Sequence, residues 1–198
     1  MRGPTRLAVT MVAVVLALIL QVAALPRFGW PDAGIGVVPG LVLLVVVATA
    51  LAHDTRFATL VGFCAGLLLD LAPPADHVAG RWALALTVVG YVVGRLSHDY
   101  QSDPASADRR PGLGVVLAAA AGGSFVGTSV FALSGVLLGD AGAGFGELLS
   151  TALLATALDT LAALVVVPAL FWVNARVSSL GAPDAGRVSP RTVRRTVL

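Results

Sequence analysis

The sequence contains no lysine, a single cysteine and little charge of either sign. Charged residues make up 12% of its 198 residues against 57% hydrophobic, and the mean hydropathy is +0.90. Thirteen arginines and 11 acidic residues cannot coat a water-soluble fold of this size, which excludes soluble enzymes and soluble nucleic-acid-binding modules. The lone cysteine, Cys64, lies in an apolar run, so it forms no internal disulfide and offers no thiolate cluster to a metal. No cofactor-binding pattern takes its place. Physical chemistry gives no reason to avoid lysine altogether, and its absence reads as the imprint of a GC-rich genome. The pI of 9.3 comes from arginines that flank apolar runs rather than forming one basic face, so no nucleic-acid partner is expected.

What the sequence has in abundance is long apolar runs: Leu7 to Leu25, Val37 to Ala52, Phe57 to Leu71, Trp82 to Leu96, Leu113 to Leu138 and Leu148 to Val173. A helix needs about 20 residues to cross a hydrocarbon core of about 30 Å, with about 17 as the lower edge. The first, fifth and sixth runs meet that length and the other three are short. Were the second and third merely to dip into the membrane, His53, Asp54 and Arg56 would sit in hydrocarbon, at a cost of at least about 2.5 kcal/mol for each charge. Full crossing is the cheaper arrangement. The expectation is an all-α, polytopic membrane helix bundle of about six transmembrane helices. The first run follows Arg2 and Arg6 and carries a faint cleavage pattern at Val22-Ala23-Ala24, but a polytopic chain needs its first span for orientation, so it reads as an uncleaved anchor.

Arginine placement sets the expected orientation. With both termini on one side, that side collects Arg2, Arg6, Arg56, Arg95, Arg109, Arg110, Arg176, Arg187, Arg191, Arg194 and Arg195, leaving Arg27 and Arg81 opposite. The positive-inside rule then puts both termini in the cytoplasm and the protein in the cell membrane as a multi-pass chain. Phe28, Trp30, Trp82, Phe171 and Trp172 fall where interfacial aromatic belts are expected. Residues 1–174 read as one transmembrane domain and 175–198 as a flexible, arginine-rich cytoplasmic tail. The polar stretch from Ser97 to Pro111 reads as a flexible loop.

Four features carry the candidate sites. Gly62/Gly66, Gly90/Gly94, Gly123/Gly127 and Gly135/Gly139 are spaced to give bare patches on one helix face. Packing within the chain is their first reading, and docking of another membrane protein the second. Asp159 falls near the middle of the sixth run, where a carboxylate must face the bundle interior or take hydrogen bonds from hydroxyls such as Thr156, Thr160, Ser124, Thr128 or Ser129. With no other mid-span carboxylate to complete a proton path, it reads as an intramembrane polar clasp. Asp70 and Asp76 are placed to pair with Arg81 across the loop that Pro73 and Pro74 open; His77 beside Asp76 is too little for a metal site. Arg187, Arg191, Arg194 and Arg195 would attract anionic lipid headgroups, at about 1 kcal/mol each, or a protein partner.

The stretch Gly62-Phe63-Cys64-Ala65-Gly66-Leu67-Leu68-Leu69-Asp70-Leu71, continued by Pro73-Pro74-Ala75-Asp76-His77, Gly80-Arg81-Trp82 and Gly90-Tyr91-Val92-Val93-Gly94, resembles the rod-shape-determining protein MreD family. The motif residues carried over are Gly62, Phe63, Gly66, Leu67 and Asp70. The resemblance implies a non-enzymatic subunit of the cell-elongation machinery that scaffolds or regulates peptidoglycan synthesis. Its implied partner is MreC and, through MreC, the filament protein MreB, the glycosyltransferase RodA and a class B penicillin-binding protein. That family itself resembles the substrate-binding subunits of energy-coupling-factor vitamin transporters, which makes vitamin binding the alternative. Against it, the polar and aromatic residues available to build such a site reduce to Trp30, Asp76, His77, Trp82 and Asp140.

Overall fold

Six α-helices follow one another with no strand among the described residues, which in this computed structural model are 3–24, 38–73, 78–102, 111–139 and 144–180. They are α1 (Gly3–Ile19, prolonged by a π-helical turn, Leu20–Ala24), α2 (Leu41–Ala52), α3 (Thr55–Leu71), α4 (Arg81–Gln101), α5 (Leu113–Leu137) and α6 (Phe145–Leu180). Among the described residues, three segments are long and apolar enough to cross a membrane: Thr5–Ala23, Leu113–Leu137 and Gly146–Val177. The chain is all-helical and membrane-directed. The vertical order is set by contacts between helix ends: Arg6 and the α2–α3 turn mark a near end, and the α3–α4 loop with the start of α2 a far end.

α2 explains the architecture. At 1.5 Å per residue its 12 residues span only about 18 Å. Every residue from Val42 to Leu51 is buried, and α2 touches all five other helices. A helix enclosed on all sides needs no polar face, which is why its run is uniformly aliphatic. Its buried hydroxyl, on Thr49, donates back to the carbonyl of Val45 at 2.7 Å.

α3 and α4 form the most extensively packed pair, an antiparallel hairpin with a glycine seam. A methyl group at Gly62 would collide with the carbonyl of Leu86, at Gly66 with that of Trp82, and at Gly90 with that of Ala58; at Gly94 it would press on Thr55. Backbone therefore meets backbone along the whole interface. The Asp54 carboxylate starts α3 by accepting from the Phe57 N–H at 3.1 Å. Gly80, at φ 101°, supplies the left-handed residue that precedes α4.

Two boundaries differ from the sequence expectation. The polar segment Ser97–Gln101 continues α4 as helix instead of opening a loop, because the Gln101 amide donates to the Ser97 hydroxyl at 2.9 Å and to the Leu51 carbonyl at 3.3 Å. α6 runs past Asn174 to Leu180, with the Arg176 guanidinium 5.2 Å from the centre of the Trp172 ring one turn earlier. In addition, Gly139 lies beyond α5 in a left-handed conformation, φ 81°, so it ends the helix and only Gly135 of that pair lies within it.

Candidate functional site

α2 begins inside the bundle, so its first N–H groups need partners that water cannot supply. Two side chains from distant helices provide them. The Gly40 N–H donates to Asp159 Oδ1 at 2.6 Å, and the Val42 N–H donates to Gln21 Oε1 in the π-helical turn at 3.0 Å. Asp159 is 3% exposed, and its second oxygen accepts from the Ser124 hydroxyl at 2.6 Å, which ties α2, α5 and α6 together at one carboxyl group. Thr128, Thr156 and Thr160 instead donate to the carbonyls of Ser124, Ala152 and Thr156 on their own helices.

Asp70 does the corresponding work for α4. It is 2% exposed and accepts from the N–H groups of Gly80 at 2.8 Å, Trp82 at 3.0 Å and Ala83 at 3.0 Å. A carboxylate at a helix N-terminus is favoured both by these donors and by the helix dipole. Arg81, also buried, extends across to α5, where Nη2 donates to the Phe131 carbonyl at 3.0 Å and the guanidinium lies 4.0 Å from the centre of the Phe131 ring. Trp82 stacks on the same ring with centroids 4.4 Å apart. Gly135 leaves the space the guanidinium fills.

These residues surround a far-end cavity of about 340 Å³. Its wall includes Gln21, Arg81, Trp82, Phe131, Thr151 and Asp159, with aliphatic side chains between them. One acid, one guanidinium and two aromatic rings thus face a mostly apolar chamber. Such a lining fits a largely apolar guest that also carries a few polar groups. Among the described residues, no group of three His, Cys, Asp or Glu side chains gathers to hold a metal.

The near end carries a second polar cluster. Arg6 Nη1 lies 2.8 Å from Asp54 Oδ1, and the guanidinium sits 3.8 Å from the centre of the Phe57 ring, so α1 is fastened to the α2–α3 turn. The His53 ring lies 5.4 Å from that of Phe57. Burial, then the positive charge of Arg6, pushes the His53 pKa below its ordinary value. Burial pushes the Asp54 carboxyl up, but the Phe57 N–H and Arg6 outweigh it and hold it below the ordinary value.

Of the residues singled out in the sequence, Gly62, Gly66, Gly90 and Gly94 lie in the α3–α4 seam, while Phe63 and Leu67 are exposed on the outer face of α3. Asp70 serves the first N–H groups of α4, the helix that Arg81 opens, while the Arg81 side chain meets Phe131; Asp159 lies on the cavity wall, and Asp76 falls outside the described residues. Gln21 and Phe131 join the site without having been picked out. Gln21 did carry a signal, as an uncharged polar residue within an aliphatic run, whereas Phe131 carried none.

Residues 4–107 match the family model for the rod shape-determining protein MreD, over the stretch that contains the glycine seam, Asp70 and the first four helices. The chain belongs to the MreD family. It is therefore a rod shape-determining membrane protein. No curated protein and no solved structure matches it. MreD membership gives no support to the vitamin-transport alternative. Ser124 and Asp159 lie beyond the matched stretch, so the far-end cavity joins a part carrying the family signature to a part outside it.

Proposed function

We propose that this chain is a non-enzymatic scaffold of the cell-elongation complex, crossing the cytoplasmic membrane six times with both termini in the cytoplasm. The far-end cavity carries the reading. It is a partly polar chamber built from α2 and its neighbours, and in a shape-determining protein its natural guest is a bulky side chain presented by a membrane-embedded segment of another subunit. MreC is that subunit, and MreB, RodA and a class B penicillin-binding protein join through it. Orientation rests on Arg6, Arg56, Arg95 and Arg176, all placed toward the near end, against Arg81 at the far end. The arginines at 187, 191, 194 and 195, outside the described residues, would add contact with anionic lipid.

The test is affinity purification of the tagged protein from its native membrane in mild detergent, with mass spectrometry of what accompanies it. MreC is expected to co-purify with the unaltered chain and to be lost from Ala152→Phe, which fills the cavity from α6. Unchanged recovery of MreC with a correctly folded Ala152→Phe protein would remove the cavity from the interface. Absence of MreC from the unaltered preparation would overturn the scaffold reading.

A further inference from the structure

The outer flank of the α3–α4 hairpin is apolar over a short height, and charge marks its near edge on both helices. On α3 the exposed residues Leu60, Phe63, Leu67 and Leu71 fall three or four apart and so share one face, and one turn before them on that face is the exposed Arg56. On α4 the exposed face runs through Leu84 and Tyr91 and meets the exposed Arg95 one turn later. Gly94 packs on Thr55, so the two arginines lie at the same near level. At the far end both helices stop. The backbone of Ala72 and Pro73 after α3, and of residues 78–80 before α4, is irregular and partly or fully exposed, which hydrocarbon does not tolerate.

These limits set a height. Residues 57–71 rise about 22 Å and residues 82–94 about 20 Å at 1.5 Å per residue, against a hydrocarbon core of about 30 Å. α5, with no charged residue from Leu113 to Leu137, rises about 37 Å, and α6 is longer still. Among the described residues α3 touches neither α5 nor α6, so the short and tall sides of the bundle face different lipid. Tilting fits a tall helix to a bilayer but lowers a short one further. Snorkelling of Arg56 and Arg95 recovers a few ångströms, at one end only. Tyr91, one turn inward from Arg95, stands where an interfacial tyrosine is favoured and keeps the headgroups near that level. We propose that the α3–α4 flank thins the bilayer beside it, with Arg56 and Arg95 holding the near-side phosphates inward, so that this surface selects phospholipids with short acyl chains. This rests on α3 and α4 crossing the membrane, as in the six-crossing arrangement.

The test is the thermal midpoint of the full chain in vesicles of dimyristoleoyl, dipalmitoleoyl, dioleoyl or dierucoyl phosphatidylcholine, a series of increasing thickness. The midpoint should be highest in the dimyristoleoyl or dipalmitoleoyl bilayer and fall stepwise beyond it, although α5 and α6 would suit a thicker one. Arg56→Leu combined with Arg95→Leu extends the apolar face to Asp54 on α3 and His98 on α4, and should move the maximum at least one step toward longer chains. Should the double variant fail to fold, either single substitution should move it the same way by less. A maximum in dioleoyl or dierucoyl lipid for the unaltered chain, or one that the arginine variants leave in place, overturns the proposal. So does oxidative cross-linking of two chains through Cys64, exposed beside Phe63, which would set this face against a second copy. Crossing is read separately. In a Cys64→Ser background, Ala52→Cys and Ala79→Cys should react with an impermeant maleimide from opposite sides of sealed native membrane vesicles. Reaction from the same side would remove the six-crossing arrangement and the thinning with it, whereas opposite sides with a long-chain maximum would remove the thinning alone.

Discussion

At the scale of single residues, two buried carboxyl groups have the same task, which is to accept from the unpaired N–H groups at the start of another helix. Removing the Asp159 carboxyl leaves the Gly40 N–H and the Ser124 hydroxyl without an acceptor, at about 1–3 kcal/mol each. Asp159→Ala should therefore lower the thermal midpoint in detergent steeply. Asp159→Asn keeps one acceptor oxygen and should lose less than half as much; growth on Asp159→Asn alone separates a clasp from a proton relay, since only a relay requires an ionisable group. His53 titrates at this scale too. Its folded pKa is depressed, so the unfolded chain binds the proton more readily and stability falls as pH drops through 6.5. The depressed pKa of Asp54 acts in the same direction at lower pH, its contribution being lost as pH falls below 3.8 toward its folded value. The thermal midpoint should be lower at about pH 5.5 than at about pH 7.5, and His53→Gln should flatten that difference. The sequence showed that Asp159 needed partners and that Asp70 ended a glycine-rich helix. It did not show which donors they serve, because Gly40 and Gly80 have no side chains to advertise a bond and become partners only when the chain returns.

At the scale of helices, glycines divide according to what faces them. Those of the α3–α4 seam press on backbone, whereas Gly122 on α5 has open space where a methyl group would go. Gly62→Ala must push α4 away and should destabilise the hairpin, and Gly66→Ile should prevent its assembly. Gly122→Ala should be neutral or stabilising by up to about 1 kcal/mol, since alanine is the better helix former. Thermal midpoints of the three proteins would check the ordering; a Gly62→Ala protein as stable as the unaltered chain would mean that the seam is not so tight. The spacing that marks such faces was legible in the sequence. Which of them is used was not, since Gly122 and Gly123 are neighbours in the chain and only the second packs, against Val47 and Val89. The limits of α2 were similarly half-visible. A lipid tail and a protein interior are equally apolar, so composition alone could not tell a short lipid-facing span from the enclosed centre of the bundle.

At the scale of the whole molecule, the near end is fastened by Arg6 to Asp54 and the far end by Gln21, Asp70, Arg81 and Asp159, with α2 enclosed between them. The long apolar runs conveyed the helical, membrane-directed class of the protein, but ties such as Arg6 to Asp54, 48 positions apart, leave no local pattern. The tie between Gly40 and Asp159 spans 119 positions. This separation has a consequence for synthesis. While the ribosome is still making α5, α2 has already emerged with the amide at its start unsatisfied, and the acceptor that completes it arrives only with α6. The last described helix is thus the keystone of the first half of the chain, and a nascent protein stalled before it has a bundle that cannot close.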